Sequence, residues 1–329
     1  MNYQQQEQMI KEGFPDLHTV ILGDVMVDEY VTGKVTRISP EAPIPVFHYG
    51  SSQRIAGGAS NVAHNVAKLG SSVSIMGVVG EDAAGQWLRE HLQKAHVDTS
   101  GLLSEKCRPT TVKRRFATKS QQLLRVDMED ASPVSDAAAE KWLDLLEQKA
   151  SRIQAVILSD YKKGVLASPD FIKEVLRICE SHQIITAIDS KSPHIEAFAG
   201  AGFVKPNNLE LEQAVGMKIT DEASLDAAGK CYLQRSQAKA LLVTRGAKGI
   251  SVFEQGKERR DYPSNAAQVY DVTGAGDTVI STVTLCIACG MPLEEAAVLG
   301  NAAAEVVISK VGTVAVSATE LLKKVKENR

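Results

Sequence analysis

Cysteine is scarce in this chain, and what there is cannot form a disulfide framework. Five cysteines, an odd number, are scattered over 329 residues at Cys107, Cys179, Cys231, Cys286 and Cys289. That usage fits a reducing, cytoplasmic setting. Cys286 and Cys289 make a C-x-x-C, but inside an apolar helical stretch with no second ligand pair, so they read as small core residues. No two of the seven histidines stand at H-x-x-x-H spacing. Basic charge is not in excess: the net charge of -3 excludes a nucleic-acid binder that relies on bulk charge. No apolar run approaches the ~20 residues needed to cross a membrane. Met1 to Phe14 is polar and Gln-rich, without a signal-peptide core, and is expected to be a frayed lead-in helix. Repeats, low-complexity tracts and long linkers are also missing. With 44% hydrophobic residues, 1–329 can bury one substantial core, and we expect a single α/β domain.

Patterning supplies the class. Thr19–Asp24 is a short apolar run ending in a turn residue, which predicts a buried strand. Gly57-Gly58 is expected to open a helix over 60–69, followed by a strand over 72–79 and a helix over 83–95. From 137 onward helices alternate with strands at 155–159, 184–189, 203–204 and 240–244, then a hairpin at 250–262 and three helices to the end. Such alternation predicts a parallel sheet covered on both faces, a three-layer α/β sandwich. The β-prone segments at about 29–49 and 110–128 break this rhythm and are expected to form a small separate sheet, a lid built from two inserts.

The most informative segment is Asp271-Val-Thr273-Gly274-Ala275-Gly276-Asp277-Thr278. Two glycines allow a tight turn and close approach of a ligand. A charge-free helical stretch begins there and stops at Gly290 with Pro292 beyond it. The N–H groups of a first helical turn favour an anion. A carboxylate in that position would repel one, unless its task is to take a proton from a hydroxyl attacking a phosphoryl group. The run is neither a P-loop, for it lacks Gly-Lys-Ser/Thr, nor a dinucleotide fingerprint, for no second βαβ unit follows.

Ligands of open parallel sheets bind beyond the carboxyl ends of the strands. Here those ends carry Asp24 and Asp28, Ser159 to Gly164, Asp189-Ser190-Lys191, Lys205 to Glu210, and Thr244 to Gly249. Each alone could be a turn or helix cap, but together they read as a polyol and phosphate cleft. Gly57-Gly58-Ala-Ser-Asn61 is a second Gly-rich turn. It could cradle a phosphate, bring Asn61 to a sugar, or serve tight packing.

On Gly57-Gly58-Ala-x-Asn61, Asn207-x-x-Glu210 and Asp271-x-Thr-Gly-Ala-Gly-Asp277-Thr278, taken in that order, the chain resembles the ribokinase-like (PfkB) sugar kinases over about residues 19–327. A narrower resemblance, to D-glycero-β-D-manno-heptose 7-phosphate kinases, rests on three further segments. They are Gly23-Asp-Val-Met-Val-Asp28-Glu-Tyr30 with Arg37 to Val46, Gln121 to Asp127, and Ser159-Asp-Tyr-x-Lys163-Gly164. Glu29 and Lys162 depart from it, standing where that group often has Arg and Gly. Some of those kinases carry a C-terminal nucleotidyltransferase; without H-x-G-H, this chain is similar to the stand-alone form.

The resemblance implies that Asp277 is the base for the anomeric hydroxyl. It implies that the N–H groups of Gly274, Ala275, Gly276 and Asp277 hold the transferring phosphoryl group. Asn207 and Glu210 would place Mg²⁺ through water. Thr244, Gly246, Lys248 and Gly249 would border ATP, with Asn301 near the adenine. Asp271 and the Thr273 carbonyl resemble a monovalent-cation (K⁺) site, completed near Gly312. Asp24, Asp28, Gly57, Gly58 and Asn61 would meet the sugar hydroxyls, since ionised oxygens accept strongly from them. Lys163, Lys191, Arg114 and Arg115 are the candidates for a sugar phosphate. The implied partners are heptose 7-phosphate and ATP, with no nucleic acid and no membrane, in a homodimer paired through the lid. The competing readings are another kinase of the same family and a catalytically silent nucleotide or sugar sensor.

Overall fold

The computed structural model describes residues 1–266, 269–310, 312 and 314–328. Thirteen strands are described, in two sheets. The larger is built from β1 (His18–Gly23), β4 (Ser72–Gly80), β5 (Val97–Glu105), β8 (Ala155–Asp160), β9 (Ile185–Ser190), β10 (Phe203–Val204), β11 (Ala240–Thr244), β12 (Ile250–Glu254) and β13 (Arg260–Tyr262). Its order is β13-β12-β11-β10-β9-β8-β1-β4-β5. All pairings from β11 to β5 are parallel, and only the β11–β12 and β12–β13 pairings are antiparallel.

Successive strand side chains point to opposite faces, and both faces are buried. Val20, Leu22, Val156, Leu158 and Ile188 enter one core, with Trp142, Phe171, Leu225 and Tyr232 from the helices over it. Ile21, Ile75, Ile157 and Leu242 enter the other, with Val62 and Val66 of helix Ala59–Leu69 and Ile280 and Val283 of helix Ala275–Ala288. The three-layer α/β sandwich is therefore as the β/α rhythm predicts. No helix among the described residues is long and apolar enough to cross a membrane.

The second sheet comprises β2 (Val25–Ile38), β3 (Pro45–Gly58), β6 (Val112–Ala117) and β7 (Gln122–Met128), in the order β3-β2-β6-β7. It is the lid, longer than its β-prone segments suggested: β2 starts directly after β1, and β3 continues to Gly58. Gly57-Gly58 thus closes a strand, and the helix opens at Ala59. Helical backbone over Tyr3–Asp16 is not frayed, because Ile10 and Phe14 are seated in the core. β5 had no expectation. It is an edge strand carrying Asp98 and Glu105, so its apolar signal is weak.

Candidate active site

Because β1, β8, β9, β10 and β11 are parallel, their carboxyl ends share one edge of the sheet, and helix Ala275–Ala288 begins over that edge. Gly274 precedes the helix with φ 80°, a left-handed turn suited to glycine. The hydroxyl of Thr278 donates to Gly274 O and to Asn65 Oδ1, fixing the first turn. Ala275 N closes the turn onto Val272 O at 3.2 Å. Anion-directed N–H groups are therefore sought at Gly274, Gly276 and Asp277 rather than at all four positions.

Asp277 is 7% exposed. Its Oδ2 accepts from Asn61 Nδ2 and its Oδ1 from Tyr161 Oη, both at 2.7 Å. Burial raises its pKa from 3.8 to about 6. The charge of Asp189 adds to the rise, and Asn61, Tyr161 and Lys205 oppose it. Asn61 is thus committed to the carboxylate rather than turned to a sugar, and Asn65 backs it from one turn along the same helix.

Lys205 lies under this turn. A β-carbon at Gly276 would stand 3.2 Å from its Nζ. The ammonium pairs with Asp189 at 3.0 Å. Burial disfavours its charge, but Asp189, Glu210 and Asp277 outweigh that and raise its pKa. Tyr161, Asp189, Asn65 and Lys205 are central here, and none was singled out for a role from sequence. For Tyr161, Asp189 and Lys205 their polar character at strand ends was the available signal, whereas Asn65 stands one helical turn after Asn61.

Asp24 belongs to the framework. It is 1% exposed, and its carboxylate accepts from the backbone N–H of Tyr161 (2.8 Å), Lys163 (2.9 Å) and Val165 (3.1 Å). Its expected place on a sugar hydroxyl is taken by the Tyr161–Val165 loop. Burial raises its pKa against those three hydrogen bonds. Within the loop, Lys162 has φ 58°, left-handed and costly for a residue with a β-carbon. Gly58 (φ 56°) also serves packing, because a β-carbon there would meet Asp24 O at 2.5 Å. Gly57 makes room for Asp28, whose Oδ2 occupies the place of a β-carbon.

The lid register separates two sets of charges. Asp28 lies opposite Lys113, and Glu29 opposite Arg114. On the first face Arg115 pairs with Asp28 and lies over the Tyr30 ring. On the other, Glu29 holds Arg114 at 2.5 Å and Arg54 at 3.2 Å. Arg114 therefore leaves the set of phosphate candidates. Lys163 pairs with Glu129 at 2.6 Å. Lys191 Nζ lies 4.2 Å from the Tyr161 ring centroid, and Lys113 Nζ lies 5.9 Å from it.

Toward the nucleotide side, Asn207 and Glu210 form a reciprocal capping box at the start of helix Asn208–Val215, each bond 2.9 Å. Burial and Asp189 raise the Glu210 pKa, and Lys205 and Lys191 oppose them. Among the described residues no three His, Cys, Asp or Glu gather into a metal cage. The donors that do meet here are hard oxygens, and the buried Asn208 Oδ1 has no partner. That set suits a Mg²⁺ held through water.

Thr244 N donates to Pro206 O, and Arg245 N to Gly249 O, so the β11 end is a tight turn. Gly246 has open space where a side chain would stand. Lys248 is exposed and paired with Glu222 at 3.2 Å. Asn301 Nδ2 donates to Tyr262 O at 2.8 Å, which ties down the chain after β13. Asp271 Oδ1 accepts from Thr273 N at 2.9 Å, and Tyr270 N donates to Ile308 O.

A model of the pfkB family carbohydrate kinases matches residues 18–320. The bifunctional protein HldE of Wolinella succinogenes is 40% identical over 294 residues, covering 89% of this chain and 61% of its own length. The protein of the same name from Granulibacter bethesdensis is 40% identical over 314 residues, 94% of this chain and 64% of its own. The chain thus spans about three fifths of the length of these curated relatives. Among solved structures, Arabidopsis thaliana ribokinase complexed with ribose and ATP superposes with a TM-score of 0.76 at 24% identity, covering 94% of this chain and 98% of the other. Escherichia coli phosphofructokinase-2 in complex with potassium gives 0.76 at 19%, covering 95% and 99%. These likenesses establish the fold.

Proposed function

The chain belongs to the pfkB family of carbohydrate kinases, and from that premise we propose that it transfers the γ-phosphoryl group of ATP to the anomeric hydroxyl of a heptose 7-phosphate. That it is an ATP-dependent sugar kinase follows from the family. The heptose assignment rests on the resemblance of segments 23–46, 121–127 and 159–164 to heptose 7-phosphate kinases.

One observation carries the chemistry. Asp277 is a buried carboxylate at a helix start, held by Asn61 and Tyr161, with its pKa pushed up to about 6. A base with that pKa is ionised at neutral pH and still a good proton acceptor. The sugar's anomeric hydroxyl would replace the Tyr161 hydroxyl on Oδ1 and give up its proton there. The Gly274, Gly276 and Asp277 N–H groups and Lys205 would receive the charge of the phosphoryl oxygens. Asn207, Glu210 and Asn208 would hold Mg²⁺ through water, and the ion would supply positive charge to offset that of the phosphates. Asp28, over Gly57, would accept from a sugar hydroxyl, and Thr244, Gly246, Lys248 and Gly249 would border the nucleotide. Asp271 and the Thr273 carbonyl would offer a K⁺ its oxygens. The lid would exclude water from the cleft.

We also read the protein as a cytoplasmic homodimer paired through the lid. Leu124, Val126 and Met128 form an exposed apolar row on β7, in register with Phe116, Arg114 and Val112 on the face away from Asp28.

The test is ADP release with Mg-ATP across heptose 7-phosphate, fructose 6-phosphate, ribose and buffer alone. Turnover confined to heptose 7-phosphate supports the proposal. Preference for another sugar keeps the kinase and discards the substrate. ATP binding without turnover on any sugar favours a sensor.

A further inference from the structure

Both carboxylate oxygens of Asp277 are occupied, but their partners are held very differently. Oδ2 accepts from Asn61 Nδ2. Asn61 is fixed in turn by Asn65, whose Nδ2 donates to Asn61 O at 2.9 Å and whose Oδ1 accepts from the Thr278 hydroxyl at 2.9 Å. Oδ1 accepts from Tyr161 Oη at 2.7 Å. That hydroxyl has no second hydrogen-bond partner among the described residues. Lys191 and Lys113 lie over the ring itself, 4.2 and 5.9 Å from its centroid. Oδ2 therefore has a built-in partner, and Oδ1 has an exchangeable one.

The backbone that carries the ring is pinned. Tyr161 N, Lys163 N and Val165 N all donate to the buried Asp24 carboxylate. A β-carbon at Gly164 would stand 2.0 Å from Ser132 O, so the loop is also wedged from the side. The phenol can leave Oδ1 by rotation of its own side chain, with no rearrangement of the loop. Burial and the charges of Asp277, Asp189 and Glu210 push its pKa well above the ordinary value, so it remains a donor. While it sits there, the base is closed to water. An uncovered base beside bound ATP would promote hydrolysis. The oxygen of a water would bond to the γ-phosphorus as the bond to the bridging oxygen breaks, ADP would leave, and the water proton would pass to Asp277.

We propose that Tyr161 is a displaceable cover on the base. It occupies Asp277 Oδ1 in the sugar-free enzyme and yields that oxygen to the sugar hydroxyl, so that ATP is not hydrolysed while the sugar is absent. This rests on the kinase reading above and adds the residue that makes phosphoryl transfer wait for its acceptor. Tyr161 is here a positioning residue that acts through Asp277. The competing role is a permanent donor that steadies the ionised carboxylate, as Asn61 does.

The experiment measures ADP release from Mg-ATP with and without heptose 7-phosphate, between pH 4.5 and 8.5, in the wild type, Y161F and Y161F/D277N. Y161F keeps the ring and removes the hydroxyl. Asp189 and Lys205, the other charges that bear on Asp277, stay in place. Without sugar, Y161F should release ADP at least about tenfold faster than the wild type, and the double variant should lose that gain. With sugar, the pH profiles separate the two roles, because kcat/KM reports the enzyme before the sugar binds and kcat the loaded complex. Loss of the Tyr161 hydrogen bond should raise the acidic limb of kcat/KM by about one pH unit and leave the limb of kcat in its wild-type position. A shift of both limbs, or of neither, overturns the proposal, and so does a sugar-free rate equal to that of the wild type. If the wild type ignores heptose 7-phosphate but uses another sugar, the substrate reading fails, and the same comparison with that sugar decides the cover. A wild type that phosphorylates no sugar refutes both, since nothing would then displace the phenol.

Discussion

Asp277 is a group whose reactivity and stability pull in opposite directions. Its native pKa of about 6 lies above the ordinary 3.8. The stability it contributes is therefore fully present below pH 3.8 and is lost as the pH rises through about 6. A shift of that size corresponds to about 3 kcal/mol against the ionised native state. D277N removes the titration, so its Tm relative to wild type should climb as the pH rises from 4 to 7. A difference that stays flat with pH would show that the carboxylate is not strained by burial. The same variant should bind ATP almost normally and lose at least about 10³-fold in kcat, within the range ascribed to a positioned base. In the wild type, kcat/KM should fall below an apparent pKa near 6. A profile level down to pH 4.5 would remove Asp277 from that role. Lys162 offers a second test at this scale. Its φ of 58° is left-handed, and relief of that conformation by K162G should stabilise the protein by about 1 kcal/mol; an unchanged or lowered Tm would contradict it.

At the scale of elements, one buried side chain organises a loop. Asp24 follows β1 and gathers three N–H groups from the segment after β8, including that of Tyr161. D24A leaves those donors without an acceptor and should cost at least about 2 kcal/mol. Hydrogen exchange should quicken at Tyr161, Lys163 and Val165, and protection equal to wild type would refute the assignment. The same loop explains what was legible in the sequence. The Gly274–Thr278 turn could be read because glycine, acid and helix start are consecutive. Asp24 could be picked out as polar at a strand end, but its partner is 137 residues away, and so a framework group looked like a sugar ligand. Tyr161 meets Asp277 across 116 residues, a contact that no local spacing encodes. Arg114 and Arg115 are neighbours in a strand and so face opposite ways, but only the strand register puts Arg114 on the face of Glu29 and Arg115 on the face of Asp28.

For the whole molecule, the parallel sheet gathers the ends of β1, β8, β9, β10 and β11 under one helix start, and the lid adds charges from above. This was predictable in outline, because alternating strands and helices dictate which edge collects the polar turns. The extent of the lid was not, since β2 and β3 change from core to exposed residues along their length. Exposed Leu124, Val126 and Met128 on an edge strand call for cover. Light scattering at micromolar concentration should give a dimer mass for the wild type and a monomer mass for L124D/V126D. A monomeric wild type would end the proposed pairing.

The most direct test of the central claim is the ³¹P spectrum of a reaction of heptose 7-phosphate with Mg-ATP. The account predicts one ADP formed for each new glycosyl phosphate, with the 7-phosphate resonance retained on the same sugar. ADP accompanied only by inorganic phosphate, or a second phosphate at any position other than the anomeric carbon, would contradict it.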